Sequence, residues 1–221
     1  EGTVLVQPPG ATAESAIEEG KSYPFGTTIK TDRKSSAVLE LSPENTFRLL
    51  AKTTLQVTQN VKHRKLIELK LDTGRVTVTL DDFPKDMNLT VESPMGVCAA
   101  VGTVFTMYYE IQADGQANGG VSVTRGVTSF DSASVNASQI TAGGDLQIVA
   151  AEGDQSRSAT ITWTGTTPIK ISLGLNNEII LQPGAIVRVA MPNTGGGVDA
   201  DNDGKLDAAE DTNGNGILDA G

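Results

Sequence analysis

Seven carboxylates fall within residues 199–221: Asp199, Asp201, Asp203, Asp207, Glu210, Asp211 and Asp219, with Lys205 as the one base among them. A hard cation such as Ca2+ takes six to eight oxygen ligands at about 2.3–2.6 Å, and alternate side chains of a tight loop can supply them. The stretch D-A-D-N-D-G-K-L-D-A-A-E fits a twelve-residue loop. Asp199, Asp201 and Asp203 stand at its first, third and fifth positions. Gly204 follows where a sharp turn needs positive φ without a Cβ clash. Lys205 offers its backbone carbonyl, Leu206 is an apolar anchor, Asp207 binds directly or through water, and Glu210 can give two oxygens. A second register begins at once with Asp211, Asn213, Asn215, the Ile217 carbonyl and Asp219, and it lacks its twelfth ligand. The expectation is one strong Ca2+ site and a second, incomplete and weaker one. A merely solvated acidic run would not repeat Gly, an apolar residue and Asp at the sixth, eighth and ninth positions.

Other chemistry is sparse. One cysteine, Cys98, excludes an internal disulfide, and one histidine, His63, excludes a His-based metal cluster within the chain. Cys98 sits in an apolar run and reads as a buried, inert thiol. His63 lies among Lys62, Arg64 and Lys65, a solvated basic turn. Trp163 could stack a sugar but fits a core or interface position better. No phosphate loop and no catalytic pair of carboxylates stands out, so no enzyme activity is expected. The net charge of −10 disfavours nucleic acid, which needs a concentrated basic face. No apolar stretch approaches the ~20 residues of a membrane helix, so no membrane span is expected in this chain. It opens at Glu1 without Met or an apolar leader, as a processed chain would after loss of a signal peptide.

The positioning elements read as β almost throughout. Strand signals fall at Val4–Val6, Ser36–Leu41, Thr46–Leu49, Thr54–Thr58, Lys65–Leu71, Arg75–Leu80, Asn88–Glu92, Val101–Ile111, Gly120–Thr124, Val127–Phe130, Leu146–Ala150, Ala159–Trp163, Ile169–Leu173, Glu178–Leu181 and Ile186–Val189. Period-two alternation marks the fourth and fifth of these. Breakers stand at Asp72-Thr73-Gly74, Asp114-Gly115, Asn118-Gly119-Gly120, Gly143-Gly144, Asn176-Asn177 and Pro183-Gly184. The one helix-like stretch is Thr12–Glu19, with Thr12 as cap. Many short strands between frequent turns predict an all-β fold: a sandwich, roll or short solenoid-like β domain with a small C-terminal calcium-binding loop segment. The expected organisation is an N-terminal strand or arm over 1–14, a β domain over 15–191, a Gly-rich hinge over 192–198 and calcium-binding loops over 199–221.

Three segments carry a family resemblance. Gly20, Gly26, Ile29 and Thr31 lead into Ser36–Leu41. Phe47-Arg48-Leu49 and Thr53–Val57 precede Leu69–Val76. The most specific is Ser93-Pro94-Met95-Gly96-Val97, followed by Val101-Gly102-Thr103-Val104-Phe105 and then Val121–Val127. Over roughly residues 15–150 the chain resembles the FecR-type domain, and residues 156–191 add strands beyond it. Gly102-Thr103 suits a bulge or close backbone approach, and Gly126 a tight turn. The resemblance implies an all-β extracytoplasmic domain that binds protein partners and catalyses nothing. The tail resembles the tandem aspartate-rich loops of dockerins and thrombospondin type 3 repeats, which implies structural calcium outside the cell.

These readings converge on a secreted or cell-surface calcium-binding structural or interaction protein. Its partner would be another protein or a second copy, in an oligomer or fibre built by strand addition from Thr3–Gln7 and by the calcium-ordered terminus. The first alternative is a periplasmic FecR-like signalling or sensor module contacting an outer-membrane receptor. The second is a carbohydrate- or cohesin-binding module. Each reading places the chain in an extracellular, cell-surface or periplasmic setting.

Overall fold

The computed structural model describes residues 2–59, 65–84, 86–100, 102–131, 136–151, 158–172 and 178–190. Among them every regular element is a strand. In chain order these are β1 (Val4–Gln7), β2 (Ser15–Ala16), β3 (Thr28–Thr31), β4 (Ala37–Ser42), β5 (Asn45–Leu49), β6 (Thr54–Gln59) and β7 (Leu66–Leu80). Then follow β8 (Asn88–Ser93), β9 (Gly96–Ala100), β10 (Val104–Ile111), β11 (Gln116–Arg125) and β12 (Val127–Asp131). The last are β13 (Asn136–Thr141), β14 (Gly144–Ala151), β15 (Ser158–Trp163), β16 (Ile169–Ser172), β17 (Glu178–Leu181) and β18 (Ile186–Ala190).

Alternation of buried and exposed residues dictates two layers, because each strand has one face to hide. The first sheet runs β2-β1-β3-β6-β7-β8-β9-β12-β13-β16-β17. The second runs β4-β5-β7-β10-β11-β14-β15-β18. Pairings are antiparallel except β7 with β8. From β8 onward successive hairpins are laid alternately on the first and second sheets, so each layer grows in one direction. The inner faces share one core, with Leu69, Val91, Cys98, Phe130 and Ile171 from the first sheet and Phe47, Val78, Phe105, Val121 and Ile161 from the second.

β7 belongs to both layers. Ile67–Thr73 pairs with β6 in the first sheet, and Val76–Leu80 pairs with β5 in the second. The expected turn at Asp72-Thr73-Gly74 is therefore a corner inside one fifteen-residue strand. Gly74 takes φ 95°, and a Cβ there would lie 2.5 Å from Thr53 Cα. Thr53 itself is tied down: its N–H donates to Thr31 Oγ1 at 2.9 Å, and Arg75 N–H donates to its hydroxyl at 3.0 Å.

Four further expectations are corrected. Asn118-Gly119-Gly120 does not break the chain but lies within β11. A Cβ on Gly119 would meet Met95 Cγ at 2.7 Å, and one on Gly120 would meet the Leu146 carbonyl oxygen at 2.0 Å, so these glycines serve close approach. The stretch Thr12–Glu19 is not helical; it holds β2, which pairs with β1 through Leu5 and Val6. The N-terminal run is not a free strand for a neighbour's sheet. β1 lies between β2 and β3, and Val4 and Val6 are buried. The strand expected over Val101–Ile111 begins at Val104, because Gly102 (φ 62°) and Thr103 carry the chain from one layer to the other. Gly126 makes the expected tight turn, at φ 85° between β11 and β12.

Candidate functional site: a polar concavity on the second sheet

The outer face of the second sheet carries an open concavity of about 400 Å³ lined by Arg75, Thr106, Tyr108, Asn118, Asp145 and Gln147, with Leu50 and Ser122 at its margin. Cross-strand register brings these residues together: Tyr108 lies opposite Arg75 on one side and Gly120 on the other, and Gly120 lies opposite Gln147. The Tyr108 ring can settle against the sheet because Gly120 has no side chain; a Cβ there would come within 2.9 Å of the Tyr108 hydroxyl. Arg75 covers the ring's other side at 5.0 Å, a cation–π contact. Its Nε and Nη2 donate to the Glu110 carboxylate at 2.8 and 3.3 Å. Gln147 donates to Asn118 Oδ1 at 3.0 Å, and the Thr77 and Thr106 hydroxyls meet at 2.8 Å.

Charge in the concavity is held close. The Glu110 hydrogen bond raises the Arg75 pKa and keeps the guanidinium charged. Burial pushes the Tyr108 hydroxyl well above the usual phenol range, with the nearby Asp145 charge adding to it. Asp145 accepts a long 3.5 Å contact from that hydroxyl, and burial raises its pKa above the ordinary aspartate value. The folded chain therefore binds the Asp145 proton more tightly than the unfolded chain does. That contribution to stability is full below the ordinary aspartate pKa and is lost as pH rises through the elevated one. Asp145→Asn is accordingly expected to gain stability relative to the parent on going from pH 4 to pH 7. Paired chemical denaturation at the two pH values measures this, and an unchanged difference would contradict it. The arrangement offers hydrogen-bond donors and acceptors across an open, shallow concavity.

Residues singled out in the sequence fall elsewhere. The expected calcium ligands Asp199, Asp201, Asp203, Lys205, Asp207, Glu210, Asp211, Asn213, Asn215, Ile217 and Asp219 lie outside the described residues, as do the 192–198 hinge and His63. Among the described residues no three His, Cys, Asp or Glu side chains are grouped to hold a metal ion, and no helix is long and apolar enough to cross a membrane. Cys98 is fully buried, within 2.9 Å of Thr128 Oγ1, and burial pushes its thiol up to about 12. Trp163 is also fully buried. Its indole N–H donates to the Thr167 carbonyl at 2.8 Å, so its face is closed to a sugar. Sequence reasoning missed Arg75, Tyr108, Glu110 and Asp145; an aromatic residue facing a strand glycine was the available signal, and it appears only once the register is known.

The architecture is that of a two-layer, all-β domain. Residues 27–129, spanning β3 into β12, match the family model described as FecR protein. The match lies inside the 15–150 stretch expected from the sequence and supplies Arg75, Tyr108, Glu110 and Asn118; Asp145 and Gln147 come from beyond it. Two crystal structures of a protein described as an anti-sigma factor from Parabacteroides distasonis are similar, each at 13% identity. One, at 1.65 Å resolution, has a TM-score of 0.36, and the other, at 2.50 Å, has 0.37. Each match covers 74% of this chain and 59% of the other, so the chain spans about three-fifths of that protein's length. No match is found among curated proteins.

Proposed function

We propose that the chain is a periplasmic signalling module of the FecR type, which works by binding other proteins and catalyses no reaction. The carrying observation is the family match over residues 27–129, which takes in most of the three motif segments. The outer-face concavity supports the reading, because its side chains offer hydrogen-bond donors and acceptors to a protein partner. Its partner on this reading is an outer-membrane receptor. Photo-crosslinking from position 106 or 147 in the source organism is expected to capture a receptor, and deletion of the gene is expected to change transcription of the operon encoding that receptor. Absence of both effects would defeat the proposal.

A second reading rests on the ligand register of residues 199–221. The donor set is all oxygen, as a hard cation requires. Asp199, Asp201, Asp203, Lys205 (through its carbonyl), Asp207 and Glu210 would hold one calcium ion. Asp211, Asn213, Asn215, Ile217 (again by its carbonyl) and Asp219 would hold a second more weakly. Such a tail would suit a secreted or surface-exposed scaffold. Titration calorimetry of the full chain with calcium is expected to give heat that Asp201→Ala with Asp203→Ala removes. A flat trace for the parent chain would overturn this reading.

A further inference from the structure

The charges of the outer-face concavity are unequally matched. Arg75 and Glu110 form a closed pair, since Nε and Nη2 of the guanidinium both donate to the carboxylate. Arg125, at the end of β11, is also paired, with Asp81. Asp145 has no such cation. Its carboxylate receives one polar contact among the described residues, the long 3.5 Å approach of the Tyr108 hydroxyl. Burial outweighs the Arg75 charge at this carboxyl and lifts its pKa. A half-buried carboxylate short of donors is costly, and an incoming cation would remove that cost. Glu110 neutralises Arg75, so the guanidinium over Tyr108 does little to repel a second one.

The carboxylate is also held in place. Asp145 lies opposite Ser122 on β11, and its backbone carbonyl accepts the Thr164 N–H at 3.1 Å. The same row continues from Ser122 to Thr106 on β10, so two hydroxyls able to accept hydrogen bonds line up beside the carboxylate. Gln147, two residues along β14, lines the same concavity and is anchored by its bond to Asn118.

A guanidinium suits these groups better than an ammonium. Its planar fork of five donors can reach a carboxylate through two N–H groups and still serve flanking hydroxyls, and it gives up water more readily. The concavity, at about 400 Å³, lies toward the small end of ligand pockets, about 300–1,000 Å³. That space suits one side chain better than an extended segment.

We propose that the concavity is a recognition pocket for an arginine side chain presented by the protein partner, with Asp145 as its counter-ion and Thr106, Ser122 and Gln147 as flanking hydrogen-bonding groups. The proposal rests on the signalling reading for the existence of that partner and adds the chemistry by which the partner is held.

NMR titration of the full chain at neutral pH tests it, with N-acetyl-arginine amide, N-acetyl-lysine amide and the uncharged isostere N-acetyl-citrulline amide as probes. The arginine probe is expected to give saturable shifts concentrated at the backbone amides of residues 106, 122, 145 and 147. The lysine probe should bind more weakly and the citrulline probe not at all. Asp145→Asn keeps the shape of the side chain and removes its charge, and it is expected to weaken arginine binding roughly tenfold or more. Absence of saturable shifts in the parent would overturn the proposal, as would citrulline or lysine binding equal to arginine, or unchanged affinity in the variant. The signalling reading fails separately. Crosslinking from position 106 or 147 that captures a receptor equally well with and without Asp145→Asn would overturn arginine recognition and leave that reading standing. Arginine binding with no receptor captured and no effect of gene deletion would overturn the signalling reading and leave the pocket's chemistry in place.

Discussion

Trp163→Ala is expected to lower the unfolding free energy by about 3–5 kcal/mol, the range for deleting a large aromatic side chain from a core. Trp163 is among the largest fully buried side chains of the described chain. It ends β15 opposite Leu146, and its ring lies against two residues without side chains. A Cβ on Gly144 would fall 2.2 Å from the ring, and one on Gly165 would fall 1.9 Å from it. Neither glycine can extend into the space the ring leaves. The Thr167 carbonyl would also lose the indole N–H that now donates to it, a cost that adds to the cavity. Urea denaturation of parent and variant measures the difference. A loss below about 1 kcal/mol would mean that the site collapses around the smaller side chain.

Gly74→Ala is the second large effect, expected to cost at least about 2 kcal/mol. Positive φ in a residue with a Cβ costs roughly 1–2 kcal/mol, and overpacking a filled site adds about 1–3 kcal/mol. Here the obstruction is backbone. The added methyl would lie 2.5 Å from Thr53 Cα and 2.7 Å from the Lys52 carbonyl oxygen, and Lys52 already holds a positive φ of 58°. Chemical denaturation measures this effect as well. A variant as stable as its parent would show that β7 does not need its corner at this residue.

Gly74 also shows where the sequence stops being informative. Alternation along Lys65–Leu71 and Arg75–Leu80 identifies the two faces of β7, because one side of every strand must be apolar. It does not reveal that the two runs are one strand, since a glycine at a turn and a glycine at a corner look alike in sequence. Asn118-Gly119-Gly120 misleads for the same reason: the partners that need room, Met95, Leu146 and Tyr108, are remote in the chain. The sequence pattern does not mark β3, β9 or β13 as strands. Each is short and rich in Thr, Ala, Ser or Asn, residues that interrupt an apolar alternation but fit a sheet once its neighbours are in place. At Thr12–Glu19 a local capping pattern suggests a helix, and pairing with β1 overrides it.

The concavity was less legible than the fold. Arg75, Tyr108 and Asp145 become neighbours only through the registers of β7 with β10, β10 with β11 and β11 with β14. No local motif encodes those registers. Cys98 is legible as a core residue because apolar neighbours surround it in sequence, and Trp163 because the chain has so few aromatic residues to spare from its core.

The shared strand β7 has a mechanical consequence. A pull on the C-terminal end would load β18 and β17 at the margins of their layers, where ladders of four or five residue pairs part like a zipper. Successive hairpins would yield in turn, each releasing a fixed increment of contour length. β7 is different, because its two halves are clamped in opposite layers by β6, β8, β5 and β10. Its removal would require both layers to shear together, so resistance to force should be greatest at that point.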